Sequence, residues 1–228
     1  MPHPSISVSP FPRFSVSVGR VLTVALSLIL LTLSATAATP LFTADFEKAA
    51  LDKLPDDFML VDGGFAVKAE GGNQFLELPG APLDSYGTLF GPTAASNICV
   101  TARIYGTSKG RLHPAFGVGL LGIAGYKLQV SPGRGKLELI RGETVLADQP
   151  LTWKSATWTH LKLQVRQLPD GGFQVAGKMW AAGAEEPAAW TISTTEKELP
   201  PAGRASVWGF PFSGNPIRYD DIQVLPST

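Results

Sequence analysis

Glycine and proline interrupt this chain so often that long helices are disfavoured over most of its length. The 228 residues include 24 glycines and 19 prolines, and both residue types weaken or end regular helices. Between them lie short runs of alternating apolar and polar side chains, the pattern of half-buried β-strands. We therefore predict an all-β protein of about twelve to fourteen short strands.

The clearest strand pattern is Trp158–Arg166, with the sequence WTHLKLQVR. Its leucines and valine fall on one face, and its histidine, lysine, glutamine and arginine fall on the other. The turn sequence Pro169–Gly172 follows, and Phe173–Trp180 reads as the return strand of a hairpin. Strands separated by turns at this spacing are typical of a sandwich or a barrel.

The first 37 residues are predicted to be an export signal. Arg13 and Arg20 precede the uncharged stretch Val21–Ala38, whose strongly apolar part is shorter than a bilayer span. Ala35-Thr36-Ala37 has the small residues that signal peptidase reads, which places cleavage after Ala37. The alternative is an uncleaved N-terminal anchor. Residues 38–228 are predicted to be a single domain, secreted or periplasmic, and free of the membrane after cleavage.

Composition argues against several classes of function. The 19 basic residues balance 19 acidic residues, so the basic footprint needed to bind nucleic acid is missing. A single cysteine excludes an intrachain disulfide and a cysteine-rich zinc site. Cys99 lies in the apolar run Ile98–Val100, so we predict a buried and inert thiol.

Two glycine motifs match functional signatures but lack the required context. Gly117–Gly122 reads G-x-G-x-x-G, yet the strand pattern Tyr126–Val130 follows where a dinucleotide site needs a helix. Gly106–Gly110 reads G-x-S-x-G, but Pro114 disfavours the helix that must follow a nucleophile elbow. We expect the first motif to allow close approach of neighbouring segments and the second to form a solvated turn.

Several segments together carry a resemblance to a known superfamily. They are Asp45-Phe46-Glu47, Trp158–Val165, Gly177–Trp180, Glu186–Trp190 and Tyr219–Val224. The chain resembles secreted jelly-roll domains of the concanavalin A-like lectin/glucanase superfamily, and is most similar to bacterial forms related to the 3-keto-disaccharide hydrolase domain and to laminin-G-like modules. The resemblance spans nearly the whole chain after the leader. It implies a two-sheet antiparallel jelly-roll β-sandwich with neighbouring first and last strands, and a carbohydrate or cell-envelope polysaccharide as the usual partner.

Catalysis is not decided by this resemblance. The glucanase branch carries a Glu-x-Asp-x-x-Glu strand, whereas the nearest acids here, Glu138 and Glu143, are separated by a turn. A retaining glycosidase needs two carboxyl groups about 5–5.5 Å apart, and nothing local supplies them. Elimination from a 3-keto sugar needs only a base and an enolate stabiliser, for which Glu138, His160 and Lys178 are open candidates.

Acidic residues cluster near both ends of the predicted domain: Asp45, Glu47, Asp220 and Asp221. If the first and last strands are neighbours, these carboxylates meet at one edge, where unpaired like charges would repel. Calcium takes six to eight oxygen ligands, carboxylates among them, so a structural Ca²⁺ is one hypothesis. The alternative is solvation and pairing with Arg218 or Lys48. Strict alternation would send Asp220 and Asp221 to opposite faces.

Aromatic side chains supply the argument for sugar binding, because the apolar faces of sugars stack on aromatic rings. The candidate ligand-binding residues are Arg103, Tyr105, Tyr126 and Trp180. They would form a binding groove if they met on one sheet face. Trp158, Trp190 and Trp208 are expected to pack in the core or against loops.

The sequence therefore favours an exported protein that recognises a glycan or a cell-envelope polysaccharide without catalysis of its own. One alternative is a glycoside-cleaving enzyme of the 3-keto-disaccharide hydrolase type. A second alternative is a structural or adhesion module without a small ligand.

Overall fold

The computed structural model describes residues 39–227, which form two antiparallel sheets packed face to face. The predicted leader, residues 1–37, lies outside the described residues. Within them, the only helical segment is the 3-10 turn Pro132–Arg134. A helix that could span a lipid bilayer is absent from residues 39–227.

The described residues contain fifteen strands. In chain order they are β1 (Phe42–Ala44), β2 (Met59–Asp62), β3 (Ala66–Glu70), β4 (Asn73–Leu78), β5 (Tyr86–Ala94), β6 (Ile98–Gly106), β7 (Ala115–Leu120), β8 (Tyr126–Ser131), β9 (Lys136–Arg141), β10 (Thr144–Pro150), β11 (Thr157–Gln167), β12 (Phe173–Ala181), β13 (Ile192–Glu196), β14 (Gly203–Phe210) and β15 (Ile217–Pro226).

Each sheet draws its strands from distant parts of the chain. Sheet A has the order β13-β12-β11-β6-β15-β4-β3, and β1 also pairs with β15. Sheet B has the order β10-β9-β8-β7-β14-β5-β2. The pairing of Phe42 with Val224 makes the first and last strands neighbours. The predictions of an all-β, two-sheet antiparallel sandwich and of adjacent terminal strands are confirmed.

The core lies between the sheets and is built from alternate residues of each strand. In β11, Leu161, Leu163 and Val165 are fully buried, while the intervening polar residues are only half-buried. This alternation is the one predicted from the sequence, and it arises because successive side chains of a strand point to opposite faces. Sheet A therefore has an outer face whose side chains are free of the core.

Two strands, β2 and β5, were not predicted. Gly87, Gly91 and Pro92 lie within β5, and glycine and proline weaken the local preference for a strand in favour of a turn. In the structure, Phe90 is fully buried in the core and β5 pairs with both β14 and β2. Tertiary burial of the apolar residues between the glycines thus overrides the local preference for a turn.

Cys99 is free and buried, as predicted. Burial disfavours the thiolate and raises the pKa of the thiol to about 12, although the nearby Lys162 and Lys178 oppose this shift.

Native protein should therefore alkylate at Cys99 with iodoacetamide far more slowly at pH 8.5 than urea-unfolded protein, as followed by mass spectrometry. A raised folded-state pKa also means that this group's stabilising contribution is complete below the ordinary thiol pKa and is lost as the pH rises towards 12. Equal alkylation rates for native and unfolded protein would contradict the assignment.

Candidate ligand-binding site

Strand register brings polar and aromatic side chains into two rows on the outer face of sheet A. One row crosses four strands and consists of Trp180, His160, Arg103 and Asp220. The row beside it consists of Trp158, Tyr105, Arg218 and Glu77. We call Arg103, Tyr105, Trp158, His160 and Trp180 the aromatic face. All five side chains are half-buried, so their ring systems combine protein packing with contact to solvent.

The rings of the aromatic face contact one another across the strands. His160 and Trp180 stack with centroids 5.1 Å apart and planes inclined by 10°. Tyr105 and Trp158 lie 5.5 Å apart at 52°, and the guanidinium of Arg103 sits 4.8 Å from the centre of the Trp158 ring. Such aromatic and cation–π pairs hold the rings in defined orientations. The result is a fixed surface of flat apolar groups beside hydrogen-bonding groups.

Arg103 is held by a network of polar groups at the end of its row. It donates from Nη2 to Asp220 Oδ2 at 2.6 Å and to Asn73 Oδ1 at 3.1 Å, and its Nε lies 2.9 Å from Asp221 Oδ2. Asn73 Nδ2 in turn donates to Asp220 Oδ2 at 2.9 Å. The side chain of Asp220 is 1% exposed, so its carboxylate is one that must be paired. The network fixes Arg103 against Trp158.

A β-bulge explains why Asp220 and Asp221 both reach Arg103. The register between β15 and β6 shifts between Asp220 and Gln223, and Asp221 has a φ of 47°. The extra residue interrupts the alternation of side chains along the strand. The expectation that these neighbours point to opposite faces is therefore wrong.

The titrating groups around Arg103 influence one another. Partial removal from water raises the pKa of Asp221, the charges of Asp220 and Asp45 raise it further, and Arg103 opposes them. Burial lowers the pKa of His160, and the positive charge of Arg103 lowers it further. His160 is therefore neutral at pH 7, which suits its stacking on Trp180.

The loop between β12 and β13 borders the aromatic face. Glu186 forms ion pairs of 2.8 Å with both Lys162 and Lys178. Lys178 also donates to the carbonyl of Pro187 at 2.6 Å, and its ammonium lies 4.9 Å from the centre of the Trp190 ring. These contacts tie the loop to β11 and β12 and place Trp190 against Lys178.

Three of the four predicted ligand-binding residues lie together, and the fourth does not. Arg103, Tyr105 and Trp180 are part of the aromatic face. Tyr126 lies in β8 of sheet B, is fully buried in the core, and cannot stack on a ligand at the surface. Its side chain has the same orientation as Leu128 and Val130, since residues two apart in a strand share a face. The prediction for Tyr126 is therefore corrected.

Trp158 and His160 also belong to the aromatic face, although neither is among the four predicted ligand-binding residues. Trp158 was expected to pack in the core or against a loop. It lies two residues before His160 in the alternating segment, so the same alternation places it on the polar side of β11. That signal was present in the sequence. The partners Asp220 and Asn73 had no such signal, because 147 residues separate them.

The four predicted metal ligands do not converge with the geometry of a cation site. Among residues 39–227, no group of three His, Cys, Asp or Glu side chains is placed to hold a metal ion. Glu47 instead accepts a hydrogen bond from the backbone of Gln74. Asp220 and Asp221 pair with Arg103, while Arg218 pairs with Glu70 and Glu77. Calcium binding by Asp45, Glu47, Asp220 and Asp221 stays a prediction without supporting geometry.

The remaining chemical candidates are separated in space. Glu138 lies on sheet B, whereas His160 and Lys178 lie on sheet A, so Glu138 does not share a site with the other two. The segment 117–122 runs through β7 into a turn, and the segment 106–110 lies at the end of β6. Strand β7 and not a helix follows the latter segment. Neither glycine motif has the helix that its enzymatic role requires.

Comparisons with known proteins agree at the level of fold. No family profile and no curated protein matches this chain. The carbohydrate-binding module CBM66 from Bacillus subtilis is 12% identical, with a TM-score of 0.54 over 74% of this chain and 95% of that one. The Emp46p carbohydrate recognition domain in its metal-free form is 9% identical, with a TM-score of 0.58 over 84% and 99%.

A third similar structure is a catalytic domain. It belongs to a glycoside hydrolase family 131 protein from Coprinopsis cinerea, is 10% identical, and has a TM-score of 0.53 over 82% of this chain and 94% of that one. Likeness at such low identity shows the fold alone. The protein has a concanavalin A-like jelly-roll β-sandwich, as the resemblance in its sequence implied. Binding modules, lectin domains and hydrolases share that fold, so function must be argued from the site.

Proposed function

We propose that this protein is exported and binds a neutral glycan or cell-envelope polysaccharide through the aromatic face, without catalysing a reaction on it. The observation that carries the proposal is the placement of Tyr105, Trp158 and Trp180 on one sheet face beside Arg103 and His160. Export is proposed from the leader sequence. The carbohydrate-binding proteins among the similar folds support the ligand class.

The chemistry of the face suits a sugar chain. A pyranose ring presents an apolar face of C–H groups and a rim of hydroxyls, so it needs flat apolar groups with donors and acceptors beside them. The aromatic rings supply the flat apolar groups. The neutral imidazole of His160 and the polar groups around Arg103 supply the donors and acceptors. Neighbouring strands in a sheet are about 4.8 Å apart, so rings on several strands can contact successive parts of one chain.

The charges of the face favour a neutral polymer. Arg103 is paired with both Asp220 and Asp221. The pKa of His160 is lowered by its burial and by the positive charge of Arg103. Arg103 and His160, the two basic residues of the aromatic face, therefore leave no unpaired positive charge there to attract an anionic polysaccharide. Since an anionic chain would meet the carboxylate of Asp221, which is 52% exposed, repulsion adds to this preference.

Substitution of Trp180 tests the proposal. In affinity electrophoresis against xylan, mannan, laminarin and cellulose derivatives, with alginate as the anionic comparison, wild-type protein should be retarded by at least one neutral polymer. Trp180→Ala should bind that polymer at least about tenfold more weakly, since truncating an aromatic residue that stacks on the ligand costs about 2 kcal/mol or more. Trp180 is half-buried at the surface, so the variant should fold, which its thermal midpoint checks.

Ile123→Ala is the control for loss of an exposed apolar side chain, because Ile123 is 55% exposed and lies between β7 and β8 of sheet B. It should leave binding of the polymer to the aromatic face unchanged. Unaltered retardation of Trp180→Ala, or a preference for alginate, would show that the aromatic face is not the binding site.

A further inference from the structure

A pocket of about 320 Å³ lies on the outer face of sheet B, on the opposite side of the sandwich from the aromatic face. Gln129 and Ser131 of β8 form its floor, since Leu128 and Val130 point into the core. Three other segments surround the floor: the loop before β7 with His113, the 3-10 turn with Arg134, and the end of β14 with Phe210 and Phe212. The volume lies at the lower end of the range for small-molecule sites.

The floor of this pocket is a buried polar network. Gln129, Ser131 and Glu138 are each less than 8% exposed. Gln129 Nε2 donates to Ser131 Oγ at 2.9 Å, and Ser131 Oγ donates to Glu138 Oε2. An amide carries two donor hydrogens and two lone pairs, so the bond to Ser131 uses only part of what Gln129 offers. The network holds the amide in one orientation at the base of the pocket.

The charges of the floor cancel. Arg134 Nη2 donates to Glu138 Oε2, and the pair forms a salt bridge. A ligand that enters therefore meets hydrogen-bonding groups without a net charge. That arrangement favours a neutral polar molecule over a carboxylate or an amine, either of which would lose its hydration without a counter-charge.

One wall of the pocket is aromatic and exposed. Phe212 is 45% exposed, and its ring lies 5.8 Å from that of Phe210. The backbone N–H of Phe212 donates to the carbonyl of Phe210 at 2.8 Å, which bends the chain so that both rings face the pocket. In the loop before β7, His113 Nδ1 shares a hydrogen bond of 2.8 Å with Ser108 Oγ, so the orientation of the imidazole is fixed.

We propose that this pocket binds one neutral sugar unit end-on, at the terminus of a glycan. An apolar wall for the ring face and a neutral polar floor for the hydroxyls are the two features that such a unit needs. Because three segments close around the floor, the pocket fits the end of a chain and not a chain that runs through. The inference goes beyond the proposed function, since it concerns another sheet and stands on other residues.

Ligand-observed NMR tests the pocket with the methyl glycosides of glucose, galactose, mannose and xylose, and with methyl glucuronide as the charged comparison. At least one neutral glycoside should bind wild-type protein in the millimolar range. Phe212→Ala should weaken that binding about tenfold or more, whereas Phe212→Tyr should retain it, since the ring is preserved. Phe212 is exposed, so both variants should fold. Gln129→Leu, which keeps the shape and removes the amide, should also lose binding.

The outcomes separate this inference from the proposed function. Ile123→Ala, at an exposed position between β7 and β8 and outside both sites, should keep the binding of the neutral glycoside. In the Trp180→Ala background, where the aromatic face is disabled, Phe212→Ala should still remove the remaining binding. Failure of every neutral glycoside to bind, unchanged binding in Phe212→Ala, or tighter binding of methyl glucuronide would overturn the inference. If Trp180→Ala bound polysaccharide normally while Phe212→Ala lost the glycoside, the aromatic face would be refuted as a binding site and the pocket would stand.

Discussion

Replacing Arg103 by methionine is expected to lower the free energy of unfolding by about 3–5 kcal/mol, the cost of breaking a buried ion pair from one side. Asp220 is 1% exposed, and Arg103 lies 2.6 Å from it. Without the guanidinium, the carboxylate keeps only the bonds from Asn73 and from the backbone N–H of Asp221. A buried charge without a counter-charge is among the largest single causes of destabilisation.

Arg218→Met is the matched control for this prediction. Both arginines lie on the outer face of sheet A and stack on an aromatic ring, Arg103 on Trp158 at 4.8 Å and Arg218 on Phe75 at 4.6 Å. Arg218 pairs with Glu70, which is 65% exposed, and with Glu77. Solvent screens the pair with Glu70, and Glu77, which is 18% exposed and lies 3.4 Å from Arg218 Nε, stays partly hydrated. The loss should therefore be smaller than for Arg103→Met, about 1 kcal/mol.

Urea denaturation of the two variants measures the difference. Arg103→Met with Asp220→Asn should recover part of the lost stability, because the second change removes the uncompensated charge. Equal losses for Arg103→Met and Arg218→Met would mean that Asp220 gains no special stability from its pair. Since Arg103 also holds Trp158, its substitution should disturb the aromatic face indirectly. Trp180 is therefore the better residue for testing ligand binding.

Gly209→Ala is expected to destabilise the protein by about 3 kcal/mol, at the upper end of the usual cost of overfilling a core. Gly209 lies in β14 and faces the interior, where an added Cβ would overlap the hydroxyl of Tyr219 and approach a methyl group of Leu78. Tyr219 and Leu78 are both almost fully buried, so neither can move away without disturbing its own neighbours.

Tyr219 provides a rescue for this clash. Its buried hydroxyl has no hydrogen-bond partner among the described residues, and such a group gives little stability. Tyr219→Phe alone should leave the urea midpoint unchanged or slightly higher, and together with Gly209→Ala it should recover part of the loss. Gly133→Ala, at a position with open space around it, should be neutral within about 0.5 kcal/mol. A Gly209→Ala variant with an unchanged free energy of unfolding would contradict the close packing of Gly209 against Tyr219 and Leu78.

The sequence predicts the orientation of side chains better than their neighbours. The alternation of Trp158–Arg166 correctly divides β11 into a core side and an outer side. The same alternation places Trp158 on the outer side with His160, although tryptophan residues are usually buried and Trp158 was predicted to pack in the core or against a loop. For Tyr126 the same rule predicts burial, because Tyr126, Leu128 and Val130 lie two residues apart and share the core face of β8.

The sequence is sufficient to predict that this protein is all-β, which face of β11 is apolar, and that Cys99 is buried. These follow from periodicity within a few residues and from turn residues, which are local properties of the chain. The folded structure is needed to see that Arg103 lies between Trp158 and Asp220, that the bulge at Asp221 brings both aspartates to one side, and that a polar pocket exists on sheet B. Those depend on register between strands far apart in sequence, which is set by packing of the whole core and not by any local pattern.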